Sequence, residues 1–247
     1  MPAGLPDFLR DPEAPEALIG VPLERNWILH AYTRGYFPWP DPDGKVVWYN
    51  PPERMVFDPA AWRAPRRLLR TLRSHEFQVR LDGDFEAVVR GCATVGREDG
   101  TWITEDMQHA YLDLFHLGFA HCVEVLQGGR LVGGLYGLAL GGMFFGESMF
   151  STVSNGSKIA FSVLLAHLER EGFDLFDAQV HNNHLERLGG TLWDRDRYLR
   201  LLRASLTRET HPGRWTLPPD LAAGRGLPGP LPVGPGSRYT GGEPSGS

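Results

Sequence analysis

The segment HCVEVLQGGRLVGGLYGLALGGMFFGESMF, residues 121–150, carries the clearest pattern of secondary structure in the sequence. It contains three strand-like runs, and glycine pairs at residues 128–129 and 141–142 separate each run from the next. Strand-like runs joined by short glycine-rich turns are typical of antiparallel strands that follow one another along the chain. The segment therefore predicts an antiparallel β-meander.

Helices and one further strand are predicted around this meander. Residues 104–117 form the clearest helix, because Thr104 is a good N-cap and Gly118 suits the C-terminal exit. A second helix is expected from Asn155 to Gly172, then a strand in FDLFDAQV and helices in NNHLERLG and RDRYLRLLRAS. A meander followed by a helix and another strand is the order found in GNAT-like acyltransferases.

The region before the meander is less regular. NWILHAYTRGYFPWP, residues 26–40, predicts a short helix followed by an aromatic, proline-broken loop, and VVWY predicts a strand. Residues 62–73 look helical, with leucines on a buried stripe and arginines along another face. We predict a small N-terminal domain over residues 1–60, a larger domain over 61–217, and a disordered Pro/Gly-rich tail over 218–247.

Composition excludes several classes of protein. The 247 residues include 42% apolar and 22% charged side chains, and the formal net charge is −5. This charge argues against a generally basic nucleic-acid binder but permits a local basic patch. Two cysteines cannot build a disulfide framework, and the nine histidines show no convincing metal-ligand spacing. Without a signal peptide or membrane span, we expect a soluble cytoplasmic protein that binds no metal.

Six motifs in a fixed order resemble those of the leucyl/phenylalanyl-tRNA–protein transferases. They lie between Ala31 and Leu201 and read AYTRGYFPW, WYNPPER, GTWIT, HCVEVLQGGRLVGGLYG, FFGESMFS and DAQVHNNHLERLG. The resemblance implies an α+β fold, in which a small N-terminal α/β domain precedes a GNAT-like acyltransferase domain. The sheet of that domain is implied to be mixed, rich in antiparallel strands and flanked by helices.

The resemblance also implies an activity. Members of this family move Leu or Phe, and Met less well, from aminoacyl-tRNA to proteins that begin with Arg or Lys, without a cofactor. The product enters the bacterial N-degron degradation route. This chain departs from the family pattern in LIGVPLERNW (18–27), in DAQ (177–179), in NGSK (155–158) and in the pair Trp48–Tyr49. The first departure affects N-terminal packing, and the others keep the polar groups.

Asp177 and Gln179 are the catalytic pair that the resemblance implies. Two residues apart on a predicted strand, they are expected to share a face that Phe176 does not. The alternative is that both satisfy nearby backbone groups. An amide oxygen is too weak a base for ordinary general-base catalysis. We therefore expect Gln179 to accept a hydrogen bond from the attacking amine, Asp177 to orient the amide, and positioning to supply most of the rate.

Glu147 is a carboxylate among apolar neighbours, where a lone charge is costly. The resemblance assigns it to the N-terminal Arg or Lys of the acceptor, and the alternative is an internal salt bridge to an arginine of the chain. Apolar residues nearby are candidates for the pocket that takes the Leu or Phe side chain, although such residues are usually core. The resemblance places five around the pocket: Leu135, Phe144, Phe161, Leu164 and Phe176.

Other residues are candidates for contacts with the donor. Four aromatic residues are candidates for stacking on the terminal adenosine: Trp48, Tyr49, Trp102 and Tyr111. Tyr49 and Trp102 adjoin loops and are favoured, whereas Tyr111 also fits a buried helix stripe. Ser151 and Asn182 are candidates for contacts with substrate main-chain atoms. Five arginines form the one dense basic run, which is either a solvated helix face or a patch for tRNA phosphates. They are Arg63, Arg66, Arg67, Arg70 and Arg73.

Three other functions are compatible with parts of the pattern. An acetyl-CoA-dependent GNAT N-acetyltransferase needs a glycine-rich pyrophosphate loop, and STVSNGSK (151–158) fits that loop poorly. A peptidoglycan-type aminoacyl-tRNA-dependent transferase shares the donor and differs in the acceptor. A non-catalytic tRNA-binding module does not need the Asp177–Gln179 pair.

Overall fold

The structure, a computed structural model, describes residues 16–19, 22–41, 45–73, 76–98, 100–223 and 226–229. The helices in these ranges are α1 (Arg25–Tyr32), α2 (Arg66–Arg73), α3 (Phe85–Thr94), α4 (Glu105–His116), α5 (Gly156–Arg170), α6 (Asn183–Arg187), α7 (Arg195–Ser205) and α8 (Pro219–Ala222). The strands are β1 (Ala17–Ile19), β2 (Phe37–Pro40), β3 (Val46–Tyr49), β4 (Glu53–Phe57), β5 (Gln78–Leu81), β6 (Ala120–Gln127), β7 (Arg130–Leu140), β8 (Met143–Ser151), β9 (Leu175–Asp177) and β10 (Thr191–Asp194).

The strands form two sheets. The larger has the order β10-β4-β9-β8-β7-β6-β5, and the smaller has the order β1-β3-β2. The predicted meander is confirmed, because β6, β7 and β8 pair antiparallel along residues 120–151. β8 and β9 pair parallel, and α5 connects them because parallel neighbours need a crossover. The chain is therefore α+β, with a mixed, antiparallel-rich sheet flanked by helices.

Local signals explain where several elements begin. The Thr104 hydroxyl accepts a hydrogen bond from the Met107 N–H at 3.3 Å, which confirms the predicted N-cap of α4. Gly128, Gly129 and Gly141 have positive φ angles in the turns of the meander, a conformation that glycine adopts without strain. Asn155 precedes α5 with a φ of 72° and makes no side-chain capping hydrogen bond.

Hydrophobic residues pack on both faces of the larger sheet. Alternate residues of a strand point to opposite faces, so Phe145 packs in the cluster that contains α1, α3 and α4, while Phe144 packs in the cluster that contains α2, α5 and α8. In α5, every residue from Ile159 to Leu168 is buried. The sheet is thus the middle layer of the fold, and both its faces are covered near β8 and β9.

The structure corrects several expectations. The aromatic segment predicted as a loop contains strand β2, and the helix expected over residues 62–73 begins at Arg66. β4 belongs to the seven-stranded sheet, although it lies within the predicted N-terminal domain. The disorder expected from residue 218 is wrong for the first part of the tail, because α8 buries Leu221 and the Pro228 carbonyl accepts from the Ala64 N–H at 2.9 Å. Residues 230–247 lie outside the described residues.

Candidate active site

A β-bulge places Glu147 at the centre of the site. The pairing of β7 with β8 passes from Tyr136–Ser148 to Gly137–Gly146, so Glu147 is the extra residue of the bulge. Bulges bend a strand and redirect a side chain that regular alternation places elsewhere. This irregularity brings the Glu147 carboxylate into a group of buried polar side chains.

Three donors hold the Glu147 carboxylate. The Tyr32 hydroxyl and the Gln179 amide nitrogen donate to Oε1 at 2.5 and 3.1 Å, and the Tyr111 hydroxyl donates to Oε2 at 2.9 Å. Glu147 is 8% exposed. Burial raises the pKa of Glu147 to about 7, although the three hydrogen bonds oppose that shift. No described residue forms a salt bridge with Glu147, so hydrogen bonds rather than an arginine compensate its charge.

Gln179 adopts a backbone conformation that regular strand structure does not allow. Its φ is 64°, a left-handed conformation outside the strand range. β9 ends at Asp177, so the side-chain alternation predicted for this strand does not extend to Gln179. The Gln179 carbonyl accepts from the Met55 N–H at 2.9 Å, and its N–H donates to Asp177 Oδ1 at 2.8 Å. An ionised carboxylate only accepts hydrogen bonds, so Gln179 presents its NH₂ group to Glu147 and directs its amide oxygen elsewhere.

Asp177 lies in a buried ion pair. Its Oδ2 accepts from the Tyr198 hydroxyl at 2.7 Å and lies 3.4 Å from Arg54 Nε. The Arg54 guanidinium is 4.4 Å from the centroid of the Tyr198 ring and 4.8 Å from that of Phe37, and Arg54 is 1% exposed. Asp177 therefore fixes the backbone of Gln179. The expectation that it orients the side-chain amide is wrong, because Glu147 has that contact.

We call these side chains the polar cluster. Its members are Tyr32, Arg54, Tyr111, Glu147, Asp177, Gln179 and Tyr198. The sequence indicated Tyr111, Glu147, Asp177 and Gln179 as site residues, while Arg54, Tyr32 and Tyr198 were missed. Arg54 lies within the motif WYNPPER and Tyr32 within AYTRGYFPW, and membership of these motifs was the signal that could have found them.

An apolar pocket opens beside Glu147. It contains about 340 Å³, counted to its open mouth, and its wall consists of Leu135, Gly146, Glu147, Ser148, Met149, Phe161, Phe176, Ala178 and Leu185. The structure thus brings together Leu135, Phe161 and Phe176 of the predicted pocket residues. Phe144 and Leu164 do not line the pocket. Both are buried behind it, and the Phe144 ring stacks on Phe176 with centroids 5.5 Å apart.

The two faces of β9 separate the apolar pocket from the ion pair. Phe176 lines the pocket, while Asp177 faces Arg54 and Tyr198, as strand alternation requires. Gly146 allows this packing, because a Cβ atom there would overlap with Cζ of the Phe176 ring. Glu147 contacts both regions, since it lines the pocket and accepts the hydrogen bond from Gln179.

The predicted aromatic contacts have different environments. Tyr111 is completely buried and bonded to Glu147, so the expectation that its ring stacks on a base is wrong. Trp102 is half-buried and stacks on Trp39 with centroids 5.2 Å apart. Tyr49 is half-buried, 6.3 Å from the Phe37 ring. Sequence reasoning missed Trp39, although it lies in the motif AYTRGYFPW.

The remaining predicted residues lie around the site. The Ser151 hydroxyl donates to the Val153 carbonyl at 2.5 Å, and exposed Asn182 caps α6 by accepting from the His184 N–H at 2.7 Å. Leu68, Leu69 and Leu72 form the buried stripe of α2, as predicted. Arg63 is half-buried and donates to two backbone carbonyls. The exposed arginines are Arg66, Arg67, Arg70 and Arg73.

The described residues lack two further features. They contain no group of three or more His, Cys, Asp or Glu side chains arranged to hold a metal ion. No helix within the described ranges has the length and apolar character needed to span a membrane.

The fold and site define an α+β protein in which an apolar pocket opens beside a buried carboxylate–amide pair. The family model described as leucyl/phenylalanyl-tRNA protein transferase matches residues 56–203, and the model for the N-terminal domain of that family matches residues 22–52. This chain belongs to the leucyl/phenylalanyl-tRNA–protein transferase family.

Curated relatives carry the same family name. The transferase of Xanthomonas axonopodis pv. citri is 48% identical over 210 residues, which are 84% of each chain. That of Syntrophus aciditrophicus is 45% identical over 206 residues, which are 83% of this chain and 86% of the relative. Among solved structures, a GCN5-related N-acetyltransferase-like protein from Streptococcus suis is 16% identical, with 57% of each chain covered and a TM-score of 0.34.

Proposed function

We propose that this chain transfers Leu, Phe or Met from aminoacyl-tRNA to the N-terminal Arg or Lys of acceptor proteins. The observation that carries the proposal is the apolar pocket lined by Glu147, whose carboxylate accepts a hydrogen bond from the Gln179 amide. A pocket for an uncharged side chain lies next to polar groups that hold an amine. Membership of the family and the names of its relatives support the same function.

The apolar pocket receives the side chain of the donor amino acid. Leu135, Phe161 and Phe176 offer no partner for a charged group, and Glu147 in the same wall repels a carboxylate, so an uncharged side chain fits this wall and an anionic one is excluded. Apolar side chains that differ by a methylene or two differ in binding free energy by only about 1–3 kcal/mol. Relaxed choice among Leu, Phe and Met follows from this chemistry.

Gln179 positions the attacking amine. Its NH₂ group is committed to Glu147, which leaves the amide oxygen to accept a hydrogen bond from the α-amine of the acceptor. An α-amine has an ordinary pKa of about 7.7–8.0, so a usable fraction is neutral near pH 7. Asp177 and Arg54 act as positioning residues, because they fix the backbone from which Gln179 projects.

The reaction is an aminolysis of an ester. The amine nitrogen forms a bond to the ester carbonyl carbon, and the bond from that carbon to the ribose oxygen breaks. The ribose oxygen takes up the proton that the amine loses and leaves as a hydroxyl group. Holding amine and carbonyl within about 3–3.5 Å in the right orientation is worth up to about 7–11 kcal/mol, so no strong base is required.

Charged groups around the site are assigned to the two macromolecular substrates. Glu147, which lines the pocket, provides negative potential for the acceptor that begins with Arg or Lys. The exposed arginines of α2 bind tRNA phosphates, and the Trp39–Trp102 pair offers a stacking surface for the terminal adenosine. Because charged tRNA and the N-degron route belong to the cytoplasm, we assign the reaction to that compartment.

A transfer assay tests the proposal. Labelled Leu-tRNA or Phe-tRNA is incubated with a model protein that begins with Arg, and the same protein beginning with Ser is the control. We expect label in the first acceptor alone. Folded enzyme that labels neither acceptor contradicts the proposal, and saturable coenzyme A binding favours an N-acetyltransferase. Transfer to a cell-wall precursor in preference to the Arg-starting protein favours a peptidoglycan-type enzyme.

A further inference from the structure

A second cavity lies beside the apolar pocket, between α2, α6 and the N-terminal end of α5. Its empty volume, which includes the solvent space at its open mouth, is about 710 Å³. We call it the basic cavity, because no acidic side chain is found among the described residues that line it. Its lining residues are Pro65, Arg67, Leu68, Asn155, Lys158, His184, Arg187 and Leu188.

The basic cavity and the apolar pocket share their walls. On α5, Lys158 lines the basic cavity and Phe161, three residues later, lines the apolar pocket. On α6, Leu185 lines the apolar pocket, while His184 and Arg187 line the basic cavity. A ligand whose apolar end occupies the pocket therefore reaches the basic cavity within one helical turn of either helix.

The cations of the basic cavity have no carboxylate partners. Within the described part of the chain, neither Arg67 nor Lys158 nor Arg187 forms a salt bridge. The pKa of His184 is lowered by burial and then by the charges of Lys158 and Arg187, so these groups lie close together. The positive end of the α5 dipole adds to their potential. Cations without carboxylate partners around one concave surface indicate an anionic ligand.

We propose that the basic cavity binds the phosphates of the 3′-terminal nucleotides of the donor, an inference that rests on the proposed function. The acyl group, the base and the 5′-phosphate leave the terminal ribose in different directions. With the acyl group in the apolar pocket, whose wall shares α5 and α6 with the basic cavity, the inference places the phosphate side of the ribose against these two helices. This site shares Arg67 with the exposed face of α2 and extends beyond it, since Lys158 and Arg187 lie outside that helix.

Donors with and without phosphates test the inference. The Phe ester of adenosine has no phosphate, whereas the Phe ester of the trinucleotide CCA has two internucleotide phosphates. In the variant Lys158→Gln/Arg187→Gln we expect kcat/KM for the CCA ester to fall about tenfold or more, because two charge-assisted hydrogen bonds to phosphate are removed. The value for the adenosine ester stays within about twofold, which also shows that the variant is folded.

Matched variants control for charge and for structure. Arg200→Gln/Arg203→Gln removes the same charge from the exposed side chains of α7 and leaves both donors unaffected. Lys158→Arg keeps the cation and retains activity with the CCA ester. Equal decreases with both donors, or no decrease with the CCA ester, overturn the inference.

Binding of the unesterified trinucleotide CCA separates this inference from the proposed function. By calorimetry, the wild type binds CCA at least about tenfold more tightly than Lys158→Gln/Arg187→Gln does. Equal binding by both forms overturns the phosphate site, whatever the transfer assay shows. If the difference in CCA binding is present but the wild type transfers no amino acid, the proposed transfer reaction fails and the phosphate site stands.

Discussion

The polar cluster and the apolar pocket meet at Glu147 and differ in how their residues are held. In the polar cluster, hydrogen bonds or an ion pair fix each carboxylate, as with the three donors on Glu147 and with Arg54 on Asp177. The apolar side chains of the pocket are held by packing, and they include the flexible side chain of Met149. The site is therefore specific in the geometry of its reacting groups and less specific for the donor side chain. The reacting groups have one geometry, while the donor side chain has room to vary.

The ion pair of the polar cluster gives the largest expected effect. Asp177→Ala leaves the Arg54 guanidinium buried without a carboxylate, and we expect a decrease of about 3–5 kcal/mol in the free energy of unfolding. Urea denaturation measures this decrease. The double variant Arg54→Met/Asp177→Leu removes both charges and is expected to regain most of the stability but no transfer activity. If Asp177→Ala alone has the stability of the wild type, the ion pair does not hold the site.

Glu147 gives the next effect, in the pH dependence of stability. Because burial raises its pKa from 4.5 to about 7, the native state binds more protons than the unfolded chain between these values. The stabilising contribution is present below pH 4.5 and is lost as pH rises through 7, up to about 3 kcal/mol. Glu147→Gln is expected to remove this slope, measured by denaturation from pH 4.5 to 8. Glu98→Gln, at an exposed position, is the control, and an equal change in both variants contradicts the account.

The apolar pocket is expected to respond in its choice of donor. A methyl group at Gly146 would meet the Phe176 ring, which must then move into the pocket. We expect Gly146→Ala to lower kcat/KM for Phe-tRNA about tenfold more than for Leu-tRNA, since the pocket becomes narrower. Competition between the two labelled donors measures the ratio. The volume-conserving variant Met149→Leu is expected to change this ratio little. If Gly146→Ala leaves the ratio of kcat/KM for Phe-tRNA and Leu-tRNA unchanged, the donor side chain does not bind in the apolar pocket.

The exposed face of α2 gives the smallest effect per residue. Arg66→Glu/Arg70→Glu is expected to raise the KM for tRNA several-fold and to reduce the salt slope of binding by about 1 for each phosphate that is no longer neutralised. Filter binding at several salt concentrations measures the slope. Arg200→Glu/Arg203→Glu on α7 is the charge-matched control. A salt slope equal to that of the wild type would show that the α2 arginines form a solvated helix face and do not contact tRNA phosphates.

Local patterns predicted the frame of the molecule well. Glycine pairs marked the turns of the meander, and Thr104 marked the start of α4, because both signals depend on near neighbours in sequence. The fold class followed from the order of these elements and from the resemblance. β4 and β10 were missed, since they are short strands defined by pairing, β4 with β9 and β10 with β4, and not by a pattern of their own.

The site was predictable in part. The sequence indicated Glu147, Asp177 and Gln179, but their surroundings depend on a bulge in β8 and on the φ of Gln179, which strand periodicity does not reveal. Regular alternation applied to Phe176 and Asp177, and it fails from Gln179 onward. Arg54, Tyr32 and the cations of the basic cavity come from distant segments, so their proximity is a property of the tertiary fold.

The most direct test concerns the amide of Gln179. Single-turnover transfer from Phe-tRNA to an Arg-starting acceptor is measured for the wild type and Gln179→Ala, together with the Kd for Phe-tRNA. If the amide oxygen positions the amine, the transfer rate falls about a hundredfold while the Kd stays within about twofold. An unchanged transfer rate, with Phe-tRNA bound normally, would contradict the central claim that the polar cluster orients the amine beside the apolar pocket.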